Sequence, residues 1–324
     1  MSKILIIHTG GTIAMAEDKE SGAVGPGKVN PLNTTLQHFL NDGVDVIIDD
    51  FLNIPSPHMT PDIMFQIAER IEKRIKEEHI SGIVISHGTD TLEETAYLLD
   101  LVLQTDLPVV VTGAMRSSNE LGSDGPYNLI SSIKVACCEE AKGKGVLVVL
   151  NDEIHTAKNV TKTHTSNVST FQSPQYGPIG IVTKHRVFFH HTLTNRDRYH
   201  ISGLTKKVML LKAYAGMDSQ LLFAAGELGI DGIVIEALGQ GNLPPEMVEG
   251  IKQLREKGIA IVMVSRCFNG IVQDVYGYKG GGKHLKELGV IFSNGLNGPK
   301  ARLKLLVTLE ATSTPEELHQ LFLR

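Results

Sequence analysis

The sequence predicts an α/β fold: a larger N-terminal domain with a mainly parallel sheet flanked by helices, followed by a smaller C-terminal α/β domain. Three observations lead there. Apolar, β-rich runs recur at residues 4–7, 44–48, 83–85, 109–112 and 146–150. Between them lie stretches such as 64–76 and 93–103, whose apolar residues follow the i, i+3, i+4 spacing of a helix face. Strand alternating with helix is the pattern of a parallel sheet covered by helices. Beyond about residue 177 the pattern breaks into short polar and β-like pieces, then restarts at 208–212, 232–236 and 259–264, with helical stretches at 220–228, 245–257 and 315–323. The boundaries that follow are a domain at 1–191, a connector at 192–206 and a second domain at 207–324.

Each element has a local reason. The helix at 64–76 has a start signal in Thr60, Pro61 and Asp62, with the proline where a first helical turn tolerates it. The first strand ends directly in residues 8–15 (HTGGTIAM), and the run 83–85 ends in residues 86–91 (SHGTDT). Two hydroxyl-bearing, glycine-containing turns therefore stand at strand C-termini, where an open α/β sheet keeps its ligands.

Composition narrows the function. At 324 residues and 42% hydrophobic, the chain can bury a sizeable core and suits two domains. A net charge of −5 offers no broad attraction to nucleic acid or anionic membrane. No apolar run approaches the roughly 20 residues of a membrane span, and no signal peptide precedes the first strand, so a soluble cytoplasmic protein is expected. Cys137, Cys138 and Cys267 form neither an even disulfide framework nor a metal-ligand spacing, and are expected to be reduced.

Residues 22–29 (GAVGPGKV) and 277–284 (GYKGGGKH) both match the glycine and lysine spacing of a phosphate-binding loop. Each lacks the final Ser or Thr that would reach a metal ion, with Val29 and His284 there instead, and neither follows a convincing strand. Surface loops are expected. The thirteen histidines include no HExxH pair, so a catalytic metal is not expected. His8 and His87 precede the glycine turns, where a neutral imidazole commonly satisfies a neighbouring polar group. No GxSxG elbow is present, which removes the usual mark of an α/β-hydrolase. The threonines remain. A threonine hydroxyl needs a base, and a neutral lysine can be one; Thr89, Asp90 and Lys162, in 160–165 (VTKTHT), supply the residue types. Singly each has a plain alternative: Gly10 and Gly11 permit a tight turn, Asp90 caps the helix near Leu92, and Lys162 is a solvated charge.

Together, 9–13 (TGGTI), 87–91 (HGTDT), 112–116 (TGAMR), 123–129 (SDGPYNL), Asn151–Asp152, 160–163 (VTKT) and 239–243 (GQGNL) closely resemble the bacterial-type L-asparaginase family, in its cytoplasmic type I branch. The resemblance covers essentially the whole chain. It implies hydrolysis of L-asparagine to L-aspartate and ammonia through a covalent acyl-enzyme, with L-glutamine as a minor substrate and no cofactor or metal. Thr12 matches the primary nucleophile. Thr89, Asp90 and Lys162 match a second triad, in which the lysine takes the Thr89 proton and Asp90 holds the lysine and the substrate's α-amino group.

The resemblance also supplies Thr89 and Ala114 as backbone oxyanion donors, Gly11 and Gly88 for close backbone approach, and Ser56 for the α-carboxylate. Asn242 matches a residue given across a subunit interface, which implies a homodimer or homotetramer. Two features depart from the family. Residues 16–32, expected to be a lid, contain no Tyr, and Pro57 has no N–H to offer a ligand. Two rival readings share the fold: the amide-hydrolysing subunit of archaeal tRNA-dependent amidotransferases, which carries an extra N-terminal domain, and an amino-acid sensor without turnover. The acidic chain opening on its first strand argues against the former, and the presence of Thr12, Thr89, Asp90 and Lys162 against the latter.

Overall fold

The computed structural model describes residues 2–18, 21, 24–26, 32 and 43–322. Contacts divide the chain into two units, Met1–Arg198 and Tyr199–Arg324. The first unit opens with β1 (Ser2–Gly10), whose Ile4, Leu5, Ile6 and Ile7 are all fully buried. A consecutive apolar run is what a strand covered on both faces requires. A short 3-10 turn, Thr12–Ala14, and a small hairpin of β2 (Met15–Glu17) and β3 (Val24–Pro26) follow. The predicted lid at 16–32 and the glycine loop at 22–29 lie largely outside the described residues.

Next come β4 (Val44–Ile54), α1 (Pro61–Glu77), β5 (Gly82–Ser86), α2 (Leu92–Val102), β6 (Val109–Thr112), α3 (Gly125–Ala136), β7 (Val146–Leu150) and β8 (Glu153–Thr156). Helix α1 starts as its sequence indicates: the Thr60 hydroxyl accepts from the Ile63 amide at 3.3 Å, and Met64, Ile67, Ala68 and Ile71 form its buried stripe. The unit closes with the ribbon of β9 (Thr161–Lys162) and β10 (Phe171–Gln172), then β11 (Gly180–Val182) and β12 (Val187–Phe189).

The sheet order is β12-β11-β8-β7-β6-β5-β1-β4. From β4 to β7 every pairing is parallel, whereas β8, β11 and β12 extend the sheet antiparallel. Counted along the chain, the five parallel strands run 2-1-3-4-5. In that order the chain reverses direction across the sheet between β1 and β5, which opens a crevice at their C-terminal ends.

The second unit is a four-stranded parallel sheet, β13 (Val208–Lys212), β14 (Gly232–Ala237), β15 (Ala260–Ser265) and β16 (Ile291–Phe292), in chain order. Its helices are α4 (Gln220–Glu227), α5 (Val248–Glu256), α6 (Gly282–Glu287), α7 (Gly298–Ala311) and α8 (Pro315–Phe322). Ile233, Ile235, Ile261 and Met263 of its central strands pack with Leu222, Ile251 and Leu254 of α4 and α5 in one core. The glycine-rich stretch 277–284 leads into the short α6 and follows no strand directly.

Candidate active site

The two glycine turns meet. Gly11 has φ +81°, and a Cβ built on it would lie 2.2 Å from the Gly88 Cα, so only hydrogen fits between the backbones. That contact sits at the switch point, and Thr12 and Thr89 each follow one of the two touching glycines in the chain. Gly10, at φ +102°, is likewise closed in by the Ile54 backbone at 2.5 Å. The loop after β6 joins from the other side: a Cβ on Gly113 would meet the His87 carbonyl at 2.7 Å and the Thr89 methyl at 3.2 Å. Ile13 and Ala114 both close on Gly125 at the start of α3.

Lys162 completes the cluster. Its Nζ donates to Thr89 Oγ1 at 3.0 Å and to Asp90 Oδ1 at 2.8 Å. The Asp90 side chain is 58% exposed and the Lys162 side chain 16%. Neither plain alternative for these two residues describes the structure: the cap position of α2 is Thr91, and Lys162 is engaged with Thr89 and Asp90. Thr91 does not cap with its hydroxyl either, because that group donates to the Ser56 carbonyl at 2.8 Å. Ser56, buried in a 3-10 turn at Ser56–His58, accepts from the Asp90 amide at 3.2 Å through Oγ. A Cβ on Gly88 would strike that Oγ at 2.7 Å, so glycine at 88 is what lets the serine approach.

Behind the turns, His87 is fully buried. Its Nδ1 lies 2.7 Å from the Gly88 carbonyl, which can only accept, so Nδ1 carries the proton. In the neutral ring Nε2 then accepts from the Thr95 hydroxyl at 2.9 Å. Burial pushes this imidazole down to about 4, against a smaller raising effect of the Gly88 hydrogen bond. His8, bonded to Ser86 Oγ at 2.7 Å, is also lowered by burial, with Asp50 acting the other way. Both histidines brace the strand ends.

Sequence reasoning left three supporting side chains without a role. The Asp124 carboxylate accepts from the Met115 and Arg116 amides and from Asn128 Nδ2. Asn128 also donates to the Gly113 carbonyl and accepts from the Asn151 amide, each at 3.0 Å. Glu93 accepts from Thr161 and Lys162. Asp124 and Asn128 lie within the 123–129 motif, which was the available signal. Glu93 looks like any acidic residue in a first helical turn. Asn242 lies in the second unit, in a tight turn where its main chain pairs with Leu238 and its Oδ1 accepts from the Gly282 amide at 3.3 Å. Among the described residues no group of three or more His, Cys, Asp or Glu could hold a metal ion, and no helix is long and apolar enough to cross a membrane. The three cysteines are free.

Fold and cluster together define a class: a two-unit α/β protein that gathers a hydroxyl, an amine and a carboxylate at the switch point of a parallel sheet. Residues 3–195 match the family described as Asparaginase, N-terminal, and residues 207–322 the Glutaminase/Asparaginase C-terminal domain. The chain belongs to the asparaginase family. It is 39% identical over 326 residues to a probable L-asparaginase of Deinococcus radiodurans, covering 99% of this chain and 97% of that one. It is 34% identical over 307 residues to an L-asparaginase of Bacillus licheniformis, covering 95% of each. A crystal structure of a probable cytoplasmic L-asparaginase from Campylobacter jejuni superposes with a TM-score of 0.87 at 35% identity, covering 100% of both chains.

Proposed function

We propose that this protein is an L-asparaginase, hydrolysing L-asparagine to L-aspartate and ammonia through an ester to a threonine. The observation that carries the reading is the Lys162 amine bonded at once to Thr89 and Asp90, beside the Gly11–Gly88 contact. Family membership and the named relatives support it.

In this reading Thr12 Oγ1 bonds to the side-chain carbonyl carbon of asparagine, the C–N bond breaks and ammonia leaves with the hydroxyl proton. Water then cleaves the ester to give aspartate and free Thr12. Lys162 takes a proton through Thr89, whose Oγ1 lies 3.0 Å from its Nζ, and returns it as the product forms. Asp90 steadies the lysine and pairs with the substrate's α-amino group. Ser56 Oγ accepts from the Asp90 amide, which leaves its own proton to donate to the α-carboxylate. The oxyanion forms at the Thr89 and Ala114 amides, each donor typically contributing about 3 kcal/mol to lowering the barrier. Gripping a short amino acid at both charged ends orients its amide for attack.

The same proposal includes L-glutamine as a minor substrate, self-association as a homodimer or homotetramer in which Asn242 serves a neighbouring site, and a cytoplasmic location. The name of the Campylobacter jejuni protein supports the last. The test is ammonia release from L-asparagine and L-glutamine over a concentration series, with Thr12→Ala as the blank. Release from asparagine that vanishes in the blank is expected. No release from either amide, with measurable asparagine binding, would turn the protein into a sensor.

A further inference from the structure

Lys162 occupies the two-residue strand β9, paired to the equally short β10. So small an antiparallel ribbon is marginal on its own. The Asp90 carboxylate bonds the Lys162 side-chain amine and, being 58% exposed, adds little to hold the main chain of β9. Something else must hold the Lys162 main chain where its amine reaches Thr89. One carboxylate oxygen does so: Glu93 Oε1 accepts from the Thr161 hydroxyl at 3.0 Å and from the Lys162 amide at 3.1 Å.

Glu93 stands in the first turn of α2, four residues after Thr89 and three after Asp90. The turn that presents Thr89 and Asp90 thus runs straight into the helix that clasps β9, so hydroxyl and amine are referred to one rigid body. The other strand of the ribbon is tied separately: Ser173 Oγ lies 3.0 Å from His155 Nδ1, and Gln172 Nε2 donates to Glu153 at 3.3 Å, both anchoring to β8.

We propose that Glu93 is a positioning residue for the reaction, setting the reach of Lys162 to Thr89 by clamping the β9 main chain. The proposal rests on the amidohydrolase reading, in which Lys162 serves Thr89. What matters is the length of the side chain and its accepting oxygen. Glu93→Asp keeps the charge and loses the reach; Glu93→Gln keeps both reach and acceptor.

The experiment measures kcat and KM for asparagine in wild type, Glu93→Asp, Glu93→Gln, Lys162→Met and Glu93→Asp/Lys162→Met, with circular dichroism and thermal melting as folding controls. Displacing a reacting group by about 1 Å can cost roughly 100-fold, so Glu93→Asp is expected to lose about 10- to 100-fold in kcat with KM nearly unchanged. Glu93→Gln recovers most of the rate. The double variant is no slower than Lys162→Met, since the clamp acts only through the lysine. Thr161→Val, which removes one of the two donors and leaves the carboxylate whole, gives a smaller loss in the same direction, and serves if Glu93→Asp does not fold. Wild-type kcat in Glu93→Asp, a slow Glu93→Gln beside a fast Glu93→Asp, or a double variant slower than Lys162→Met would each overturn the Glu93 role alone. A wild type that releases no ammonia, or a Lys162→Met that matches it, overturns the reading of the site and the Glu93 role with it.

Discussion

At the residue scale, Lys162 bears on rate and His87 on stability. Lys162→Met is expected to cut kcat severely, because Thr89 loses the amine bonded to its hydroxyl; unchanged turnover and an unchanged pH–rate profile would remove the lysine from the proton path. His87 acts on stability instead. Its folded value of about 4 lies below the ordinary 6.5, so below pH 6.5 the unfolded chain binds a proton that the folded one refuses. Stability therefore falls as pH drops from 6.5 and the loss is complete near pH 4. The shift corresponds to about 3 kcal/mol. Urea titrations of wild type and His87→Gln at pH 7, 5.5 and 4 check it: the variant is less stable at neutral pH but loses less on acidification. Parallel acid dependence in the two proteins would assign the effect elsewhere.

At the scale of elements, the loops owe their positions to side chains that reach between them. Asn128 is 2% exposed and joins α3 to the loops after β6 and β7. Asn128→Ala leaves the Gly113 carbonyl and Asn151 amide without that partner, at a cost of about 2–4 kcal/mol. Because Ala114 follows Gly113, kcat should fall as well, whereas a fully stable and active variant would show that water replaces the amide. The sequence made the principal parallel strands legible, since β1, β5, β6 and β7 are nearly unbroken apolar runs. It also showed α1, through the Thr60-Pro61-Asp62 start and a one-sided stripe. Helix α3 was illegible because it is buried on more than one side, Ser131 and Ser132 included, and so carries no stripe. Helix α7 hides for a related reason: Lys300 and Lys304 are buried beside Leu303 and Leu305. Strands β8, β11 and β12, at three or four residues each, are shorter than the window in which alternation can be read. The Thr12, Thr89 and Lys162 motifs stood out since glycine and hydroxyl side by side at a strand end is distinctive. Glu93 did not, because its importance lies in a partner 69 positions away.

At the scale of the molecule, the surface of the second unit is the part least suited to a lone chain. Nine of the fourteen exposed large apolar side chains among the described residues belong to it, although it holds only residues 199–324. Phe268, Ile271, Val275, Tyr276 and Tyr278 crowd into a single stretch after β15. A soluble monomer rarely leaves so much apolar surface together, and association of like chains would cover it. Light scattering of the purified protein is therefore expected to give two or four times the 35.3 kDa of one chain. Phe268→Asp, which puts a charge on a side chain that is 73% exposed, costs the isolated fold little but opposes burial against a partner. It should lower the measured mass. If Asn242 completes a neighbouring site, turnover falls in step with that mass as the protein is diluted. A wild-type chain that is monomeric and fully active would sink both the association and the shared site, while a dimer whose activity survives dissociation would sink the shared site alone.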